Sequence, residues 1–302
     1  MRMETQTLRN QAVDATQTWA TDLIELTKPR ITLMVLITTA AGFWLGASTI
    51  EILPFWGTLL GTALIASGAS CLNQVIEVRT DALMERTRRR PLAAGRMDRM
   101  QGAIFGVLLS IAGTALLAVA ANQLTAGLGV LTLFLYTAVY TPLKRVNSLC
   151  TVIGAVPGAI PPMMGWTATT NQLSIEAWVL FGILFFWQMP HFLAIAWIYR
   201  EDYEKGLQPM LPVHDQQGSA TARQMLLYSL GLLPVSLLPS ILGMSEPAYF
   251  WGALLLGLTF LGSAAYTAQV RNKTAARILL RVSVIYLPAL LLLLSSTKAW
   301  SE

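Results

Sequence analysis

Apolar runs of about 20 residues recur nine times along this 302-residue chain, near 31–50, 55–76, 101–120, 124–142, 149–168, 176–198, 224–243, 247–268 and 278–296. A helix of about 20 residues is what crosses the hydrocarbon core of a bilayer. Backbone polar groups find no partner in hydrocarbon, so runs of this kind fold as helices, whose hydrogen bonds are internal. Nine of them use most of the chain and leave no space for a separate soluble domain. Charge agrees: 12% of residues are Asp, Glu, Lys or Arg, about half the ~25% of a soluble domain. The expected fold is an all-α membrane protein. It is a single bundle of about nine transmembrane helices around a central cavity open toward the cytoplasmic face, with residues 1–302 forming one domain.

The chain carries 21 Lys and Arg against 16 Asp and Glu. In a soluble protein that excess would suggest nucleic acid, but here the placement of the charges decides. If the nine runs cross alternately, 20 of the 21 basic residues fall on one side, and Lys298 alone lies opposite. Basic loops stay in the cytoplasm. The amino terminus is therefore expected inside and the carboxyl terminus outside, with membrane lipid as the surroundings and no nucleic-acid partner. Glu4, Asp14, Asp22 and Glu25 near the start argue against an acid-poor transit peptide, and no cleavable signal is evident. A multi-pass protein of a bacterial inner membrane is the simplest reading. Cys71 and Cys150 lie in or beside spans near the inner face; two cysteines there suggest neither a disulfide nor a metal site.

The two long inner segments, 77–100 and 199–223, hold 8 of the 16 acids, and both follow even-numbered spans. They share a side and read as two halves of one site. In NQVIEVRTDALMERTRRRPLAAGR, residues Asn73, Glu77, Asp81 and Glu85 recur every four positions. That spacing sets them along one helix face. Oxygen ligands at the end of an apolar span suit a hard cation such as Mg²⁺, which also takes substrate phosphate oxygens. Arg86, Arg88, Arg89 and Arg90 follow, and guanidinium groups pair bidentately with phosphate. A solvated helix end anchored by arginines would explain the basic run, but not an Asn and a Glu at the membrane boundary.

The second segment, FFWQMPHFLAIAWIYREDYEKGLQPMLPV, places Tyr199, Asp202 and Tyr203 at the inner end of span six. Asp202 would supply a further metal-side carboxylate. An ordinary polar loop is the plainer reading. Lys144 and Arg145 end span four and serve equally well as anchors or as diphosphate partners. His191 lies within span six after Pro190. An ionisable side chain at that depth is either a satisfied packing group or a substrate contact. Span five, LCTVIGAVPGAIPPMMGW, carries three prolines and three glycines. It reads as a close-packed kinked helix or as a cavity wall.

The stretches LTKPRITLMVLITTAAGFWLG, NQVIEVRTDALMERTRRRPL, YTPLKRVNSLCTVIGAVPGAIPPMMGW, WQMPHFLAIAWIYREDY and PMLPV span residues 26–213. Together they resemble the UbiA-type superfamily of intramembrane prenyltransferases, and within it the protohaem IX farnesyltransferase branch. Gln74 and Glu77 stand where aspartates are common in the wider superfamily, and Gly206 stands four residues beyond Asp202 in place of a second aspartate. Both departures fit the haem branch. The resemblance implies a farnesyl diphosphate donor, a haem b acceptor and a Mg²⁺ requirement. It implies a catalytic and metal set of Asn73, Glu77, Asp81 and Asp202, with Arg86, Arg90, Lys144, Arg145, His191, Tyr199 and Tyr203 on the substrates. The amino-terminal 1–28 and the segments 77–100 and 199–223 would be cytoplasmic, the latter two catalytic. A haem A synthase would be the downstream partner. Two other readings remain open: a prenyltransferase for a hydroxybenzoate or quinone precursor, and a secondary transporter, which would not account for acids followed by arginines.

Overall fold

The computed structural model describes residues 18–299. Arg2, Glu4, Arg9 and Asp14, which enter the charge and targeting readings, lie outside those residues. A short helix α1 (Trp19–Leu26) precedes six long helices: α2 (Pro29–Gly46), α3 (Ile52–Asp81), α4 (Arg99–Ala120), α5 (Gln123–Leu143), α6 (Cys150–Thr170) and α7 (Ile175–Ile198). Two short helices, α8 (Arg200–Lys205) and α9 (Leu211–His214), lead into α10 (Ser219–Ile241), α11 (Pro247–Val270) and α12 (Lys273–Ser296). Among the described residues no strand forms beyond an isolated bridge between Ser245 and Lys298.

Among the described residues nine long helices match the nine apolar runs. Eight of them are long and apolar enough to cross a membrane. The ninth, α6, is 21 residues long, but Pro157, Pro161 and Pro162 lower its hydropathy. It sits among α2, α5 and α7 with Pro157, Pro161 and Pro162 buried and Gly158 between them exposed. At 30 residues α3 is about 45 Å long, against ~30 Å for the hydrocarbon core. The run ended near residue 76 because Glu77, Arg79 and Asp81 are polar. The helix continues, so Asn73, Glu77 and Asp81 ride on rigid backbone at the membrane edge. It stops at Asp81 with Ala82 as its C-cap. Glu85 consequently leaves that face; it is exposed and ion-pairs with Arg88 at 2.5 Å.

Lys298, the one basic residue at the opposite end, has a local structural role. It is 8% exposed. Its ammonium donates to the Trp44 carbonyl at 2.8 Å and to the Ala47 carbonyl. A cation at the carbonyl end of α2 meets the negative end of the helix dipole. Trp44 Nε1 also donates to the Ser295 carbonyl at 3.1 Å, tying α2 to α12 at that end.

Candidate active site

Three elements at the basic end are held together before any ligand is considered. Asp202, on α8, accepts the backbone N–H groups of Glu85 and Arg86, each at 3.1 Å. The two polar segments therefore meet. Arg96 reaches back to α1, pairing with Asp22 and Glu25 at 3.0 Å, and donates to the Arg89 carbonyl. Gln74 on α3 donates to the Leu26 carbonyl at 2.9 Å. The basic loop, α1 and the end of α3 thus form one rigid floor.

That floor carries a cavity of about 70 Å³. Its wall includes Asn73, Glu77, Asp81, Arg86, Arg90, Lys144 and Tyr203, seven of the residues expected from sequence, together with Lys28, Tyr136, Tyr140, Thr87 and Gln208. Asn73, Glu77 and Asp81 are at most 3% exposed. Asn73 Nδ2 donates to Glu77 Oε2 at 2.9 Å and to Thr141 Oγ1 at 3.0 Å. Lys144 Nζ lies 3.0 Å from Glu77 Oε1. Arg90 donates to Asp81 Oδ2 at 2.7 Å. Among the described residues Asp81 Oδ1, which is buried, has no hydrogen-bond partner. A buried charged oxygen left unpaired costs several kcal/mol unless something else meets it.

Lys28 was not among the residues expected at the site. It precedes Pro29 in the left-handed region, at φ 49°, a conformation that costs a non-glycine residue about 1–3 kcal/mol and that clusters at functional sites. The kink directs its ammonium to Asn73 Oδ1, at 2.9 Å. Burial, reinforced by Arg90 and Lys144 nearby, pulls the Lys28 amine down to about 7. The only trace in sequence is Lys-Pro at the head of the first span. Tyr136 and Tyr140 reach the cavity from a π-helical stretch, Leu135–Tyr140, within α5. Such bulges often mark functional sites. Lys144 sits 4.5 Å from the Tyr140 ring centroid.

Four expected residues lie outside the cavity wall. Both oxygens of Asp202 accept from loop backbone N–H groups, and Asp202 is not part of the cavity wall. Arg145 donates to the Ile76 carbonyl at 2.6 Å. Tyr199, 42% exposed, lies beneath the Arg86 guanidinium, which stands 5.5 Å from its ring. Arg86 also donates to the Tyr203 hydroxyl at 3.3 Å. His191 faces α12 instead, with Nδ1 2.8 Å from Ser283 Oγ. Among the described residues no three His, Cys, Asp or Glu side chains form a metal site by themselves. Cys71 and Cys150 are buried free thiols.

The cavity wall therefore carries two carboxylates, Glu77 and Asp81, against three cations, Arg86, Arg90 and Lys144, with the Lys28 amine as a fourth basic group. A pocket with that surplus suits a polyanion. Its carboxylate and amide oxygens suit Mg²⁺ only if the anion shares the coordination. Asp81 Oδ1 is the atom best placed to face such a cation.

Comparison with known proteins adds to this geometry. The protoheme IX farnesyltransferase of Solibacter usitatus (strain Ellin6076) is 47% identical over 277 residues, 88% of this chain and 95% of the relative. That of Myxococcus xanthus (strain DK1622) is 42% identical over 282 residues, 93% and 96%. Among solved structures, a digeranylgeranylglyceryl phosphate synthase superposes with a TM-score of 0.79 at 16% identity, covering 93% of this chain and 98% of that one. A UbiA homolog from Archaeoglobus fulgidus bound to GPP and Mg²⁺ gives 0.66 at 14%, covering 91% and 99%. At those identities the structures speak for the fold alone. Residues 35–287 match the UbiA prenyltransferase family. A helical bundle with buried acids opposed by cations at one end is what an intramembrane diphosphate chemistry needs, and the chain belongs to the UbiA prenyltransferase family.

Proposed function

We propose that this chain transfers the farnesyl group of farnesyl diphosphate to a vinyl group of haem b, with addition of water, giving haem O and diphosphate. The observation that carries the diphosphate half is the cavity in which two carboxylates face Arg86, Arg90, Lys144 and Lys28. The acceptor half rests on relatives at 42–47% identity named protoheme IX farnesyltransferase. In the reaction the C1–O bond of the donor breaks and its electron pair leaves with diphosphate. The terminal vinyl carbon bonds to C1, and water adds at the neighbouring carbon with loss of a proton.

Each residue has a part in this. Mg²⁺, when bound, neutralises charge that develops on the leaving group. Asn73, Glu77 and Asp81 would hold that cation, and Arg86, Arg90, Lys28 and Lys144 would hold the phosphate oxygens. The donor must displace Arg90 from Asp81 and Lys144 from Glu77, so anion binding converts internal pairs into substrate contacts. Asp202 fixes the loop that presents Arg86, while Tyr136, Tyr140 and Tyr203 close the cavity against water that would quench an allylic cation. Incubating the purified protein with farnesyl diphosphate, Mg²⁺ and either haem b or a hydroxybenzoate, then reading product masses, tests the proposal. Farnesylated, hydrated haem is expected. Prenylated hydroxybenzoate with unmodified haem would replace the acceptor. Diphosphate release requiring a transmembrane gradient would favour a transporter.

We further propose that the chain is one catalytic domain in a bacterial inner membrane, with the basic end and the segments 77–100 and 199–223 cytoplasmic. The charge asymmetry supports this. A reporter active only outside the cytoplasm should be silent when fused at Gly95 or Gly218 and active after Glu302; activity at Gly95 would reverse the orientation. Haem O made at that face would pass to an enzyme of the haem A synthase kind.

A further inference from the structure

Thr141 is not part of the cavity wall and is fully buried, yet it touches that wall through Asn73. It precedes Pro142 near the end of α5. A proline ring normally pushes the residue before it out of the helical region, and the proline removes a backbone donor. Thr141 nevertheless keeps helical angles, φ −61° and ψ −46°. The helix absorbs the proline by widening: the Thr141 N–H reaches the Tyr136 carbonyl, five residues back, at the close of the π-helical stretch. The Thr141 hydroxyl donates to that same carbonyl at 2.7 Å.

The place of that proton decides what the hydroxyl can do next. A threonine hydroxyl has one hydrogen, and the Tyr136 carbonyl takes it. Toward Asn73, 3.0 Å from Nδ2, Thr141 Oγ1 can then only accept. The other amide hydrogen goes to Glu77 Oε2 at 2.9 Å. With both hydrogens committed, Oδ1 is the atom left to meet Lys28 Nζ of the cavity wall, at 2.9 Å. A flipped carboxamide would set Oδ1 against the Thr141 lone pairs and the Glu77 carboxylate. The two restraints differ in kind. Glu77 is charged and already shared with Lys144, so its hold on the amide changes when an anion and a cation enter. Thr141 is neutral, and its own anchor is backbone, so its hold is independent of what fills the cavity.

We propose that Thr141 is a positioning residue of the diphosphate site: its hydroxyl, set by the π-helical turn, holds the Asn73 carboxamide so that Oδ1 is the oxygen offered to the cation accompanying the anion. The inference rests on the proposed diphosphate site and on no particular acceptor. Groups that orient a metal ligand from behind fix which of its atoms faces the ion. Thr141 touches neither substrate nor cation. Its action passes through Asn73 alone, which separates it from Tyr136 and Tyr140, whose rings line the cavity.

The test uses the full chain in detergent, with Mn²⁺ as the probe and inorganic diphosphate as the anion, followed by electron paramagnetic resonance. The wild type should bind Mn²⁺ when diphosphate is present. Thr141→Val removes the hydroxyl at nearly constant shape, and Thr141→Ala removes it without added bulk. Both should bind Mn²⁺ about ten-fold more weakly. Thr141→Ser keeps the hydroxyl and should bind like the wild type. In an Asn73→Ala background Thr141→Val should cause no further loss, because two residues acting through one contact are not additive. Turnover of Thr141→Val should fall at low Mg²⁺ and recover as Mg²⁺ is raised, a recovery that a general loss of structure would not show. Wild-type affinity in both Thr141→Val and Thr141→Ala would overturn the positioning role, as would a loss that persists undiminished in the Asn73→Ala background. A wild type that binds no Mn²⁺ with diphosphate would sink the diphosphate site, and this inference with it.

Discussion

Asp81→Asn should lower turnover by about 10²–10³-fold, the scale of losing one preorganised electrostatic contact to charge developing in a dry site. The substitution keeps the shape, and an amide oxygen can still accept from Arg90, so folding is preserved. It removes the charge behind Asp81 Oδ1, the buried oxygen that no donor among the described residues meets. Asp202→Ala should behave differently. It deletes the acceptor for two backbone N–H groups, each such hydrogen bond to a charged group being worth about 1.5–3 kcal/mol. The loop carrying Arg86 and Arg90 then loosens, so the KM for farnesyl diphosphate should rise by about ten-fold or more while kcat falls less than in Asp81→Asn. Steady-state kinetics at several Mg²⁺ concentrations separate these outcomes. Near-normal Mg²⁺-dependent turnover in Asp81→Asn would remove Asp81 from the site. A kcat loss in Asp202→Ala equal to that in Asp81→Asn, with the same metal dependence, would return Asp202 to the direct-ligand role expected from its sequence.

What could be read in advance was one-dimensional. Length and apolarity of a run are properties of the run itself, and the bilayer converts them into helices, so the nine long helices were legible. The four-residue spacing of Asn73, Glu77 and Asp81 was equally legible, because α3 is rigid through Asp81. Glu85 kept the spacing but not the face, since the helix ends before it. Lys28 could not be read: its inward aim depends on one left-handed residue and on α1 being clamped by Arg96, 68 residues later. The contacts of Asp202 were hidden for a similar reason. That two acidic segments share a side follows from counting spans, but which oxygen meets which N–H is decided only when the segments dock. His191 shows the same limit. Its depth is written in the sequence, while its partner, Ser283, lies on a helix that starts beyond the recognisable motifs.

The proline-rich helix leads to the other large expected effect. In a bilayer, lipid tails are as apolar as side chains, so helix association depends on close packing and small residues. At the crossing of α2 and α6, Gly42 lies against the backbone of Pro162, and Gly165 against the backbone of Thr39 and Phe43. A Cβ at either glycine would overlap a carbonyl oxygen of the facing helix. A flexible side chain could swing away from such a clash; a backbone carbonyl inside a helix cannot, because it is held by its own hydrogen bond and by the buried prolines beside it. Gly165→Ala should therefore push α2 and α6 apart and cost at least the 1–3 kcal/mol typical of overpacking. Gly165→Leu should leave little folded protein. The control lies on the same chain. Gly127 and Gly262 are helical and have no foreign atom within 4 Å of a would-be Cβ, so Gly127→Ala and Gly262→Ala should be neutral or stabilising by up to about 1 kcal/mol. Reversible unfolding in mixed detergent measures all three alanine variants on one scale. If Gly165→Ala were as stable as the two controls, the α2–α6 crossing would be looser than described. The floor of the cavity would then have to be held by α1 and the loop contacts alone, because Lys28 hangs from the first turn of α2.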